Sequence, residues 1–316
     1  MTQTLPRVQD PDPRARVRQI ADGVRRRVLE HTLRHNGGYL SQACSAAEVL
    51  ATLYLRVMRL GLSQAPLTPR PFSGVPSATN PASFTGADYN GPRAPDLDRF
   101  IFSPVHYALV LYSLLIEVGR LGPDALAQFN RDGSTVELIG AEHSPGHEVT
   151  AGSLAQAISQ AGGIALARRL RGEPGWVWVF MSDGEFQEGQ TWEAFAALAH
   201  HRIGRLGVYI DANAQQCDGA MASVMTIEPL ASRLRAFGAG VHEVDGHDSD
   251  ALAAPAAASR GQERDRPLVV IARTDPARGI DLLRIRTPKL HYVRFKDAAE
   301  FDAYRRLLAT LNGDRP

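Results

Sequence analysis

Two uninterrupted apolar runs of strand length, Trp176 to Met181 and Leu206 to Ile210, flank a helical stretch from Thr191 to His201. A run with no polar interruption belongs to a strand buried on both faces, as in parallel sheets covered by helices. Strand, helix, strand then implies a parallel pair joined by a crossover. Further strand candidates lie at Arg99 to Ser103, Gly240 to Val244 and Pro267 to Ala272, the last two flanking a helical stretch near Asp248 to Ser259. This alternation predicts an α/β fold, a doubly wound and mostly parallel sheet with helices on both faces.

The remaining punctuation is consistent with one domain from residue 14 to 316 behind a mobile N-terminal tail, 1–13, which mixes Pro, Asp and Arg. Val49, Leu50, Leu53, Tyr54, Val57 and Met58 recur at helical spacing and predict a helix from Ser45 that stops near Gly61. Tyr107 to Val118 reads as a helix ended by Gly119, and Gly152-Ser153 as the start of another that runs to Leu170. Leu62 to Asp98 holds seven prolines, too many for regular structure, and predicts a long loop. It either covers an active site, lines a subunit interface or is a simple insertion.

Composition removes several function classes. The 316 residues are 44% hydrophobic and 22% charged, with 35 basic against 34 acidic side chains, so no bulk field draws the chain to nucleic acid or membrane. Arg25-Arg26-Arg27 accordingly reads as a solvated helix face. Two cysteines, Cys44 and Cys217, have neither metal-ligand spacing nor disulfide density, which suits a reducing cytoplasm. No apolar stretch reaches the roughly 18 residues that a bilayer requires.

The chemistry-bearing residues follow the two apolar strand runs. After the first comes Ser182-Asp183-Gly184-Glu185-Phe186-Gln187-Glu188-Gly189, and after the second Asp211-Ala212-Asn213-Ala214-Gln215-Gln216-Cys217-Asp218-Gly219. Open parallel sheets bind ligands outside the carboxyl ends of their strands. Magnesium or calcium takes carboxylate, amide and carbonyl oxygens, so Asp183, Asn213 and one backbone carbonyl supply a protein share that a diphosphate can complete. Gly184 lets backbone N–H groups approach phosphate oxygens, and Gly152-Ser153 offers a second anion-binding end. Either loop alone reads equally well as a plain turn.

The pair of segments resembles the thiamine-diphosphate motif of the transketolase family, an Asp-Gly pair followed some thirty residues later by Asn. The longer strings Asp183-Gly184-Glu185, Gln187-Glu188-Gly189-Gln190, Trp192-Glu193-Ala194 and Gln216-Cys217-Asp218-Gly219 resemble the transketolase branch in particular. His35-Asn36-Gly37-Gly38, Asp98 to Ser103 with His106, Pro145 to Val149, Gly152-Ser153-Leu154, Gly246-His247-Asp248 and Arg273-Thr274 resemble further motifs of the family. The resemblance implies that Asp183, Asn213 and the carbonyl of Gln215 hold Mg2+ or Ca2+, and that Gly184 and Glu185 lie against the diphosphate. It implies that Gly152, Ser153 and Leu154 reach over the cofactor, that His106 and His291 face its diphosphate, and that His35 and His291 face substrate oxygens. Glu188 falls at a contact between subunits.

The sequence also departs from the family. Ser182, Ala155 and Ala157 stand where glycines are usual, the segment Gly140 to Pro145 is shortened around the candidate catalytic residue His143, and 62–98 is longer than its family counterpart. The expectation is a cytoplasmic, thiamine-diphosphate-dependent enzyme that moves a two-carbon ketol unit from a ketose-type donor to an aldehyde acceptor. In this family a pyrimidine-binding domain supplies the glutamate that activates the cofactor. The chain has about half the length of single-chain members, so a separate partner subunit and a heterotetramer are expected, with the chain inert alone. A 2-oxo acid decarboxylase or carboligase subunit and a non-catalytic scaffold are the alternatives.

Overall fold

The computed structural model describes residues 12–75, 77–81 and 83–312; the predicted mobile tail lies almost wholly outside them. In chain order the elements are α1 (Pro13–His35), α2 (Leu40–Thr52, prolonged by a π-helical turn Leu53–Val57), β1 (Arg99–Phe102), α3 (Ala108–Glu117) and α4 (Gln156–Leu170). Then come β2 (Val177–Ser182), α5 (Gly189–His200), β3 (Leu206–Ala212), β4 (Gln215–Gln216), β5 (Gly219–Ala220), α6 (Met221–Val224) and α7 (Leu230–Ala236). The chain continues through β6 (Gly240–Asp245), α8 (Ser249–Ser259), β7 (Leu268–Arg273) and α9 (Ala298–Leu311).

Five strands form one all-parallel sheet in the order β1-β2-β3-β7-β6, as the apolar runs predicted. Side chains alternate between two cores. Phe100, Phe102, Trp178, Phe180, Tyr209 and Val270 face the helices α1, α2, α3, α8 and α9. Ile101, Val177, Val179, Met181, Val208, Ile210 and Ile271 face α4, α5 and α7. Gly207 pairs with Trp178 across β2 and β3, and a Cβ there would sit 2.2 Å from the indole, so glycine admits the large ring.

Several local expectations change. α1 is a full helix whose stripe Val17, Ile20, Ala21, Val24 and Val28 is buried. Arg25 is not a solvated residue: it is buried and ion-paired with Glu48, while Arg26 and Arg27 engage Glu117. The α2 helical run ends at Val57, and Met58 is already extended. α4 opens at Gln156, with Ala155 left-handed at φ 66°, so Gly152 and Ser153 belong to the preceding turn and are exposed. Among its described residues the 62–98 segment is irregular apart from a 3-10 turn at Gly86–Asn90 and an isolated bridge between Ser77 and Asn80. That turn docks on 142–146: Gly86 N–H donates to Glu142 O at 2.7 Å, and Gly146 N–H donates to Gly86 O at 2.9 Å. Among the described residues no helix is long and apolar enough to cross a membrane.

Candidate functional site

A cavity of about 300 Å³ lies at the carboxyl ends of β2 and β3 and is lined by Gln42, His106, Tyr107, Leu154, Asp183, Gly184, Asn213, Gln215 and His291, among others. A larger cleft of about 730 Å³ sits at the opposite, amino-terminal end of the sheet. Three of its five lining arginines, Arg168, Arg169 and Arg205, donate to backbone carbonyls, and it lies away from the carboxyl strand ends where open parallel sheets bind ligands, so the smaller cavity is the better candidate.

Asp183 opens the 3-10 turn that follows β2 and is 3% exposed. Its Oδ2 accepts the Ala214 N–H at 2.8 Å, which joins the loop after β2 to the loop after β3. Burial first, and then the charge of Asp211, push its pKa up to about 8. Among the described residues no basic side chain offsets that burial, and the favourable contributions come from backbone N–H groups. A buried carboxyl group held toward its neutral form is suited to a divalent cation, which displaces the proton and supplies the positive charge that ionisation lacks.

Asn213 Oδ1 accepts the Gln215 N–H at 2.9 Å, and its Nδ2 faces Asp211 Oδ2 at 3.1 Å. Gly184 borders the cavity openly, since a Cβ there would meet no atom within 4 Å. Asp183, Asn213 and Gln215 are thus brought together as hard oxygen donors. No cluster of three His, Cys, Asp or Glu side chains able to hold a metal occurs among the described residues. The amide and carbonyl oxygens are what distinguish this donor set.

Glu185 behaves differently from expectation. It is fully buried and does not line the cavity. Its carboxylate accepts from Ser103 Oγ, from Ala155 N at 3.1 Å, and from Ser182 N and Oγ at 2.8 and 3.1 Å. It therefore ties the end of β1 and the start of α4 to the end of β2, next to the cavity-lining Leu154 and Ser182. Ser182, where the family carries glycine, is the capping partner in this bracket. Leu154 lines the cavity but Gly152 and Ser153 do not; Glu188 stands exposed at its rim.

The candidate histidines fall in four places. His106 and His291 line the cavity with ring centres 5.3 Å apart, and Tyr39 lies edge-on to both at 5.5 Å. A two-residue bridge between Gly38 and Val293 brings the 291 loop to the N-terminal motif. Burial lowers His106 to about 3 and also lowers His291, so both rings are neutral at physiological pH. Gln42 Nε2 donates to His291 O at 2.9 Å and meets its Nδ1 at 3.2 Å, which leaves the ring proton on Nε2. Gln42 was missed in the sequence because its partner lies 249 residues away.

His35 ends α1 and lines a neighbouring cavity of about 240 Å³ with His31, Tyr39 and Tyr292. His143 is buried outside the cavity, its Nε2 3.0 Å from Glu137 Oε2 and its ring 4.6 Å from Phe72 of the long loop. His247 directly precedes Asp248, the cap of α8. Its Nε2 accepts the Asp275 N–H at 2.9 Å, so Nδ1 donates to Glu48 at 3.1 Å.

Residues 82–280 match the family described as transketolase, thiamine diphosphate binding domain. The chain belongs to the transketolase family. It is 32% identical over 285 residues to the transketolase family protein y4mO of Sinorhizobium fredii, covering 89% of this chain and 92% of that one. The 6-deoxy-6-sulfo-D-fructose transketolase subunit SqwG of Clostridium sp. is 30% identical, with coverage of 82% and 84%. Transketolase from Campylobacter jejuni superposes with a TM-score of 0.70 at 18% identity, over 95% of this chain and 48% of that one, a likeness of fold. This transketolase-family chain thus spans most of y4mO and SqwG but under half of the Campylobacter jejuni transketolase chain.

Proposed function

We propose that this chain is the diphosphate-binding subunit of a two-subunit transketolase-like enzyme, which transfers a two-carbon ketol unit from a ketose-type donor to an aldehyde acceptor. The observation that carries the reading is the convergence of Asp183, Asn213, Gln215, His106 and His291 on one cavity at the carboxyl ends of β2 and β3. Thiamine diphosphate supplies an electron sink for cleavage of a C–C bond beside a carbonyl. Asp183, Asn213 and the Gln215 carbonyl would hold Mg2+ or Ca2+ and through it the diphosphate. His106 and His291, both neutral, would hydrogen-bond the diphosphate, and His291 with His35 would face substrate oxygens.

A separate partner is supported by coverage: the chain matches 84% of SqwG, which is itself named a subunit. The partner would carry the pyrimidine-binding domain and the activating glutamate, in a heterotetramer of two chains of each kind. Glu188, exposed at the cavity rim, would lie at a contact between subunits.

The test is an assay of the chain alone and with its partner, supplied with thiamine diphosphate, magnesium and a panel of ketoses and aldehydes. Ketol transfer only with the partner is expected. Robust turnover by the chain alone would refute the split-enzyme reading, and release of carbon dioxide from 2-oxo acids would replace ketol transfer with decarboxylation.

A further inference from the structure

We infer that Asp211 is the positioning residue of the metal-binding loop: its carboxylate decides which end of the Asn213 amide faces the cavity. The inference rests on the assignment of Asp183 and Asn213 as metal ligands and deepens it.

Asp211 lies at the end of β3 and is completely buried. Its Oδ1 accepts from Thr274 Oγ1 at 2.5 Å, while Oδ2 accepts from Ser45 Oγ at 2.6 Å and from Asn213 Nδ2 at 3.1 Å. Those donors come from the segment after β7, from α2 and from the loop after β3. One carboxylate therefore pins that loop to two other parts of the fold.

The three donors also settle an orientation. A carboxylate only accepts, so the Asn213 atom that faces Asp211 is the NH2 group, with Ser45 Oγ at 3.3 Å and Tyr107 OH at 3.4 Å as further neighbours. The amide oxygen then points the other way, accepts the Gln215 N–H at 2.9 Å and keeps a second lone pair. A flipped amide would set its NH2 against the Gln215 N–H and offer a hard cation a nitrogen with no free lone pair. Nothing in an asparagine itself prefers one orientation. Partners that orient metal ligands typically govern affinity by about 10- to 100-fold.

The test titrates thiamine diphosphate by calorimetry into the full chain with its partner at several magnesium concentrations. Asp211→Ala should bind cofactor about 10- to 100-fold more weakly at low magnesium, with the loss recovered as magnesium rises. Asp211→Asn should stay near wild type, because its oxygen still accepts from Asn213 and Ser45 and its NH2 can turn to Thr274. An unchanged magnesium dependence in Asp211→Ala would overturn the inference, as would an Asn variant as weak as the Ala variant. If Asp211→Ala does not fold, Ser45→Ala decides, since it removes one restraint on Asp211: a raised magnesium requirement supports the inference and an unchanged one overturns it. Wild-type chain that binds no cofactor at any magnesium level would instead remove the functional reading beneath it.

Discussion

Asp183 accepts the backbone N–H of Ala214 at 2.8 Å, so the residue that opens the first cavity loop holds the backbone of the second. Ala214 occupies the left-handed region, at φ 58°. Proline cannot adopt that φ and has no N–H to give. Ala214→Pro is therefore expected to abolish magnesium-dependent cofactor binding while circular dichroism stays native, although it alters no candidate ligand. Normal affinity would mean that the two loops act independently.

His106 and His35 separate cofactor from substrate functions. His106 lines the cavity with Asp183, whereas His35 lines the neighbouring one beyond Tyr39. His106→Ala should weaken thiamine diphosphate binding itself, and His35→Ala should lower turnover with near-normal cofactor affinity. Wild-type kinetics and affinity in both variants would return these residues to a structural role.

His147 gives a pH test of the scaffold. It is fully buried, its Nδ1 lies 3.2 Å from Pro145 O, and burial pushes its pKa down to about 4. Below the unfolded value of about 6.5 the unfolded chain takes up a proton that the folded chain refuses, so stability is lost as pH falls toward 4. His147→Asn can keep the bond to Pro145 but does not titrate. Urea unfolding from pH 7 to 5 should show wild type losing up to about 1.4 kcal/mol per pH unit more than the variant. Parallel pH profiles would contradict the burial of a neutral ring.

What the sequence made legible was whatever a local pattern carries. Trp176 to Met181 and Leu206 to Ile210 announced β2 and β3 because strands buried on both faces need no polar alternation. The solvated helix face read at Arg25-Arg26-Arg27 was wrong for Arg25, because its burial depends on Glu48 of α2 and on the stripe Val17, Ile20, Val24 and Val28 of the same helix. Within the site, Asp183 and Asn213 were readable from their place after strands. The inward turn of Glu185 was not, because Ser103 and Ala155 arrive from distant segments. The seclusion of His143 likewise depends on Phe72, a residue of the proline-rich loop.

The central claim is that the cavity below β2 and β3 holds thiamine diphosphate through a divalent metal bound by Asp183. Asp183 is buried rather than solvent-facing, so its replacement by alanine relieves an uncompensated buried carboxylate and should leave the fold largely intact. The decisive measurement is a calorimetric titration of thiamine diphosphate into the purified chain with its partner, in magnesium and in a chelator, for wild type and Asp183→Ala. Saturable binding by wild type in magnesium alone, lost in folded Asp183→Ala, is the expected result; equal affinity in the two proteins, or no binding by wild type in magnesium, would contradict the account.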